Sequence, residues 1–196
     1  MSFQILEYNY LRHFEDKIYM SNLEEDLRKS LLDVLSVSDN LEKYNSNLAG
    51  DIKDEFNLSP DKIRRNLYQA IERSILSHLK NIVVDNSHFK LNSLWVNYQR
   101  KNEYNPAHIH HGAFSFVWYL DIPQEIRDEY KQQKSYEETK TRGLIQFTSL
   151  HTNEYIILNP QTDDFLLFRA NHNHQVYPFY SDNTRISVSG NIIIDE

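Results

Sequence analysis

The chain is 196 residues long, with 40% hydrophobic and 25% charged residues, ordinary usage for one globular domain and incompatible with wholesale disorder. Twenty-one Lys and Arg stand against 28 Asp and Glu, a net charge of −7, which argues against generic binding to DNA or RNA. No apolar run reaches the ~18 residues of a membrane helix, and the absence of cysteine excludes disulfides, thiolate zinc sites and thiol nucleophiles.

The first thirty residues carry Glu7, Arg12, Glu15, Asp16, Lys17 and Glu24 and no apolar segment of a secretory signal. Together with the missing cysteines this fits a cytoplasmic protein. Ser21 and Asn22 precede a stripe at Leu23, Leu27, Leu31 and Val34/Leu35, which predicts an amphipathic helix over 22–36. Residues 38–58 are polar and irregular. Ser59-Pro60-Asp61 combines a capping hydroxyl, a proline suited to the first turn and an acid. The stripe Ile63, Leu67, Ala70/Ile71, Ile75 and Leu79 follows, predicting a helix over 60–81.

From residue 90 the apolar period changes to two. Residues 92–100 are rich in strand formers, and Phe114, Phe116, Trp118 and Leu120 share one face of a strand over 114–121. Further short runs lie at 143–148, 154–158, 164–169, 174–179 and 184–194. Strands at this spacing predict a β sandwich or barrel. The charged segment 123–141 reads as an exposed helix or a flap, and as a candidate lid. The expected organisation is a single domain over 1–196, with helical support in 1–85 and the β core in 86–196.

Five of the nine histidines fall in two clusters. The first is Asn105-Pro106-Ala107-His108-Ile109-His110-His111-Gly112, between two predicted strands. In extended backbone His108 and His110 face the same way, a usual arrangement for holding a metal. The second is His172-Asn173-His174, on a turn before another strand. Two strands this far apart in sequence can be neighbours in a barrel, so three imidazoles can meet. The alternative is that these are solvated loop histidines. With no thiolate available, imidazole and carboxylate ligands suit iron, manganese, zinc, nickel or copper. His172 and His111 are expected to support the site or lie on the surface. Arg185 and Ser187, eleven and thirteen residues after His174, share a strand face. They offer a planar donor fork and a hydroxyl, although an Arg on a strand is far more often a solvated or paired surface residue.

The order His-x-His, strand, a gap of about sixty residues, distal His and then Arg-x-Ser resembles the Fe(II)/2-oxoglutarate-dependent oxygenase superfamily, and within it the oxygenases of marine phages, cyanophages especially. The resembling stretches are Asn47-Leu-Ala-Gly-Asp-Ile52, Trp95-Val-Asn97, Glu103 to Gly112, Ser115-Phe-Val117, Ile122-Pro123, and His174 to Ser181 running on to Arg185-Ile-Ser-Val-Ser-Gly-Asn-Ile192. The resemblance implies a mainly β fold with flanking α-helices, built on a double-stranded β-helix (jelly-roll) core. It also implies an oxygenase, a hydroxylase of a prolyl or other side chain or of a small metabolite, that couples C–H oxidation by O2 to decarboxylation of 2-oxoglutarate to succinate.

By the same resemblance His108, His110 and His174 are the Fe(II) ligands. Arg185, Ser187 and Asn97 are the contacts of 2-oxoglutarate. Trp95, Gln99, Trp118 and Tyr119 lie on strands flanking the first histidine motif and are further candidates for the pocket wall, although Trp95 and Trp118 are each more often simply core. Two departures stand out. The superfamily usually has Asp or Glu where His110 stands, with Glu103 the nearest carboxylate here, and Arg169-Ala170 replaces the more usual Pro-Ser. Two rival readings are a non-catalytic metal-binding jelly-roll, such as a phage structural module, and a cupin-like three-histidine enzyme that uses no 2-oxoglutarate. Neither a membrane nor a nucleic acid is an expected partner.

Overall fold

Two antiparallel sheets account for the predicted strands. The chain is described by a computed structural model over residues 4–6, 17–38, 40–83, 87–132, 140–152 and 154–195. The larger sheet runs in the order β1 (Gln4–Leu6), β2 (Ile18–Asn22), β9 (Asp164–Arg169), β6 (Phe114–Asp121), β11 (Arg185–Ile194), β4 (Phe89–Gln99) and β3 (Glu55–Asn57). The smaller runs β5 (Asn105–His108), β10 (Asn173–Val176), β7 (Ile145–Thr148) and β8 (Tyr155–Leu158).

Both faces of the larger sheet are covered, as β6 shows: every residue of it except Asp121 is buried. Phe114, Phe116, Trp118 and Leu120 face one way and pack with Leu31, Ile71, Ile75 and Leu79 of the helices α1 (Glu25–Ser36) and α2 (Arg65–Lys80). Val117 and Tyr119 face the other way and pack with Phe147, Leu166, Phe168 and Phe179 beneath the smaller sheet. Burying each such side chain is worth about 1.5–3 kcal/mol relative to exposure. The result is the mainly β jelly-roll with flanking helices.

Both helices start later than their capping signals predict. Ser21 and Asn22 end β2, in register with Phe165 and Asp164 of β9. The helix begins after Glu24, whose carboxylate accepts from Ser74 Oγ of α2 at 2.6 Å and so ties the two helices together. At the second start, Lys62 and Ile63 donate backbone N–H to the Ser59 carbonyl and close one turn. Arg64 is then extended (φ −55°, ψ 125°), and α2 begins at Arg65. This kink lets Ile63 reach the core, where it is buried. The N-terminal region is also less purely helical than its periodicity predicts, since β1, β2 and β3 join the larger sheet.

Within 38–58, a short 3-10 turn at Asn45–Asn47 leads into a strap that returns to β3. The strap is fastened by the Asp51 N–H, which donates to the Tyr104 carbonyl at 2.9 Å. It passes so close at Gly50 (φ +117°) that a Cβ would lie 2.8 Å from that carbonyl. Of the candidate lid, α3 (Gln124–Gln132) is anchored: Ile126 and Glu129 are buried, and the Glu129 carboxylate accepts the backbone N–H groups of Tyr180 and Ser181. Residues 133–139 lie outside the described part. Among the described residues no helix is long and apolar enough to cross a membrane.

At Gly190, in the middle of β11, a Cβ would lie 2.5 Å from the Phe116 ring and 2.5 Å from the Ser93 carbonyl oxygen. Gly190→Ala is expected to destabilise the fold by about 2–3 kcal/mol. Urea unfolding should show this as an earlier midpoint with an unchanged slope, whereas an unchanged midpoint would mean that the sheet yields freely there.

Candidate metal centre

The two histidine clusters meet because β5 and β10 pair. His174 and His108 are direct cross-strand partners, a position that sets side chains about 4.5–5.5 Å apart at Cβ. Their ring centroids are 4.3 Å apart. His110 joins from beyond the strand end rather than from extended backbone. The chain leaves β5 at the exposed Ile109, and the His110 N–H donates to the Ala170 carbonyl at 2.8 Å. Its ring centroid then lies 4.9 Å from that of His108 and 5.1 Å from that of His174, with Trp95 at 5.9 Å. The three rings each offer a nitrogen, all within 4.8 Å of one another.

The rings are prepared as neutral donors. Nδ1 of His108 lies 2.7 Å from the Pro106 carbonyl, and Nδ1 of His174 lies 2.9 Å from the His172 carbonyl. A carbonyl only accepts, so each Nδ1 carries the proton and each Nε2 is left with its lone pair. Burial holds all three rings below the usual imidazole range: His108 is lowered, His110 falls to about 4, and His174 lies well below its ordinary value. Repulsion between neighbouring imidazoles adds to this at His110 and His174. A cation is therefore favoured over three protons here, and unprotonated imidazole is the form a metal takes. These donors suit iron(II), although among the described residues no carboxylate completes the group. Glu103 is buried but is turned into its own loop, accepting the backbone N–H groups of Arg100 at 2.8 Å and Lys53 at 3.4 Å. His172 is buried against Phe147 and serves through its carbonyl, while His111 is exposed.

Beside the histidines, the larger sheet forms a pocket floor in rows. One row is Glu55, Asn97, Ser187 and Tyr119, read across β3, β4, β11 and β6. On one side of it lies the pair Gln99 and Arg185; on the other lie Trp95, Ser189 and Val117. All of these line one pocket with His108, His110 and His174. Trp118 does not: it points to the helical side and is fully buried in the core. Alternation along β6 decides the matter, because Tyr119 takes the pocket side.

Arg185 is the main charge in this floor and is 2% exposed. Its Nη1 donates to the Gly143 carbonyl at 2.6 Å, its Nε and Nη2 donate to Gln99 Oε1, and the rings of Tyr119 and Phe179 flank it. Among the described residues no carboxylate pairs with it, and burial pulls its pKa down. An isolated buried cation is costly, and two of its five N–H groups remain for an incoming anion. Asn97 Nδ2 donates to the hydroxyls of Ser187 at 3.3 Å and Ser189 at 3.2 Å.

Sequence reasoning missed Glu55. A single acid in a three-residue strand carries no periodic signal, and only the β3–β4 register brings it beside Asn97. Burial, and then the nearby Glu103 charge, push its carboxyl up from 4.5 to about 7. The folded state thus holds this proton more tightly than the unfolded chain, and stability is lost as pH rises from about 4.5 through 7. Glu55→Gln should therefore be more stable than the parent at pH 8 by on the order of 2 kcal/mol, and should lose that advantage at pH 5. Thermal melts at the two pH values test this, and a difference independent of pH would contradict it.

The family model described as "Putative 2OG-Fe(II) oxygenase" matches residues 93–191, half of the chain. No curated protein matches in sequence. Among solved structures, a Pseudomonas putida prolyl-4-hydroxylase is similar at 14% identity and TM-score 0.62, covering 88% of this chain and 90% of its own. HygX from Streptomyces hygroscopicus, solved with nickel and 2-oxoglutarate bound, is similar at 10% identity and TM-score 0.62, covering 89% and 82%. The viral collagen prolyl hydroxylase of Paramecium Bursaria Chlorella virus-1 is similar at 13% identity and TM-score 0.55, covering 89% and 94%. At these identities the structures establish the shared fold, and the family match includes both histidine clusters and β11 from Arg185 to Asn191. The chain belongs to the 2OG-Fe(II) oxygenase family and is an oxygenase that uses iron(II) and 2-oxoglutarate.

Proposed function

We propose that the protein is a hydroxylase in which His108, His110 and His174 hold the iron(II), and Arg185, with Ser187 and Asn97, receives the distal carboxylate of 2-oxoglutarate. The observation that carries this reading is a fully buried guanidinium, with no carboxylate partner among the described residues, in the same pocket as three clustered imidazoles. With O2, the bound iron and 2-oxoglutarate supply oxidation of a substrate C–H bond coupled to decarboxylation to succinate. The protein's part is orientation and shielding. The Pro106 and His172 carbonyls fix two of the rings, Gln99 and Gly143 fix the guanidinium, and Trp95, Val117, Ile145 and Phe168 keep water from the walls. On this reading residues 1–196 act as one domain, since β2 and β3 of the N-terminal region are built into the sheet that carries the site.

A prolyl or other side chain is favoured as substrate by the similarity to the two prolyl hydroxylases, and a small metabolite by the similarity to HygX. The all-histidine donor set also suits a cupin-like enzyme without 2-oxoglutarate, but that reading gives the Arg185 charge no role. The neutral triad brings no negative charge of its own, so with the distal carboxylate on Arg185 the keto-acid carboxylate would be the anion beside the metal, and metal and 2-oxoglutarate should each strengthen the binding of the other.

Two variants test the assignment by calorimetry with the metal-loaded and metal-free protein. Arg185→Ala removes charge-assisted hydrogen bonds and should weaken 2-oxoglutarate binding about 10–100-fold without loss of metal binding. His174→Ala should weaken metal binding by at least about 100-fold. Undiminished 2-oxoglutarate affinity in Arg185→Ala would overturn the role given to the guanidinium.

A further inference from the structure

The floor row holds a second charge-bearing group that iron and 2-oxoglutarate do not use. Glu55 is 2% exposed and lines the pocket, at the β3 edge of the floor. One of its oxygens, Oε2, accepts from Asn45 Nδ2 at 3.2 Å. The other, Oε1, is buried with no hydrogen-bond partner among the described residues, and so is Oδ1 of its cross-strand neighbour Asn97. Two unpartnered buried acceptors on paired residues are costly, and a ligand that brings N–H groups would satisfy them. The surroundings are acidic. Glu103 lies close enough to repel the carboxylate, and the opposing cation among the described residues, Lys43, is engaged by the Lys53 carbonyl and the Asp54 carboxylate. Arg185 sits two strands away along the sheet, at the Gln99 row, and forms no ion pair with Glu55. The strap over 44–54 contributes Leu48, Ala49 and Ile52 to the wall of the same pocket.

We infer that Glu55, with Asn97 Oδ1 beside it, is the substrate-recognising group of this pocket, and that the substrate presents a cationic nitrogen, a guanidinium or ammonium, to the β3 edge of the floor. This rests on the oxygenase assignment above and adds to it the chemical class of the substrate. A cation with two or more N–H groups satisfies both oxygens at once and cancels the charge that burial penalises. An uncharged donor would leave a carboxylate beside Glu103 uncompensated.

The test uses the full chain loaded with zinc(II) and 2-oxoglutarate at pH 8. It is titrated with butylguanidinium and with its uncharged isostere butylurea, and read by tryptophan fluorescence, since Trp95 lines the pocket. Butylguanidinium should bind at least about tenfold tighter than butylurea in the wild type, and Glu55→Gln should reduce that preference to about twofold or less. A proton on Glu55 donated to Asn97 Oδ1 would satisfy both oxygens without any ligand. Such a pair predicts equal affinity for the two probes, and equal affinity, or binding of neither, overturns the inference. A preference that survives in Glu55→Gln overturns it as well. The wild-type comparison stands even where the variant does not fold. Binding of 2-oxoglutarate by the zinc-loaded wild type is measured first in the same sample, so its failure strikes the oxygenase site separately from the substrate class.

Discussion

β11 is hydrogen-bonded along both edges, to β4 on one side and β6 on the other, and that double pairing orders the rest of the molecule. Its period of two sends Val188, Gly190 and Ile192 toward the helical core and Arg185, Ser187 and Ser189 into the pocket. A slip of one residue would exchange these sets, placing a guanidinium among α1 and α2 and leucine-sized side chains beside the histidines. The rows that place Asn97 next to Ser187, and Gln99 next to Arg185, follow from this register. The smaller sheet then needs only one correct pairing, His108 with His174, to bring the metal donors over the floor.

The electrostatics of the pocket divide along the same rows. The histidine end is neutral and pre-set for a cation by burial and by two backbone carbonyls. The Arg185 end is a buried positive charge held open for an anion. The β3 edge is acidic. A buried cation and a buried acid within one pocket are each costly, and on the proposed reading each would be partly relieved by a different ligand. A net charge of −7 therefore says little about the site, where a local cation and a local acid are each shielded from the surface.

Much of this architecture was legible in the sequence. The alternation in β6 and the apolar stripes of α1 and α2 are long patterns, and they fold as their periods require. What was not legible depends on pairing. Ser21 reads as a helix cap, yet its backbone is claimed by β9, and Ser59 closes a turn of its own before α2 begins. His108 and His110 do meet, but through a chain that leaves the strand between them rather than through strand alternation. Glu103 and Glu129, which composition treats as solvated charge, are buried acceptors for backbone N–H groups. Trp95 and Trp118 look alike in sequence, and only the face of their strand separates a pocket wall from a core residue. Glu55 acquires its meaning from a three-residue strand that no periodic argument detects.

The central claim is that one pocket holds iron through three histidines and 2-oxoglutarate through Arg185. It is tested most directly by adding Fe(II) and then 2-oxoglutarate to the wild-type protein without oxygen, and recording the visible spectrum. The claim predicts the weak charge-transfer band of a keto acid chelated to iron, appearing only when both are present and saturating at one equivalent of each. Iron bound in the folded protein with no such band at saturating 2-oxoglutarate would contradict it.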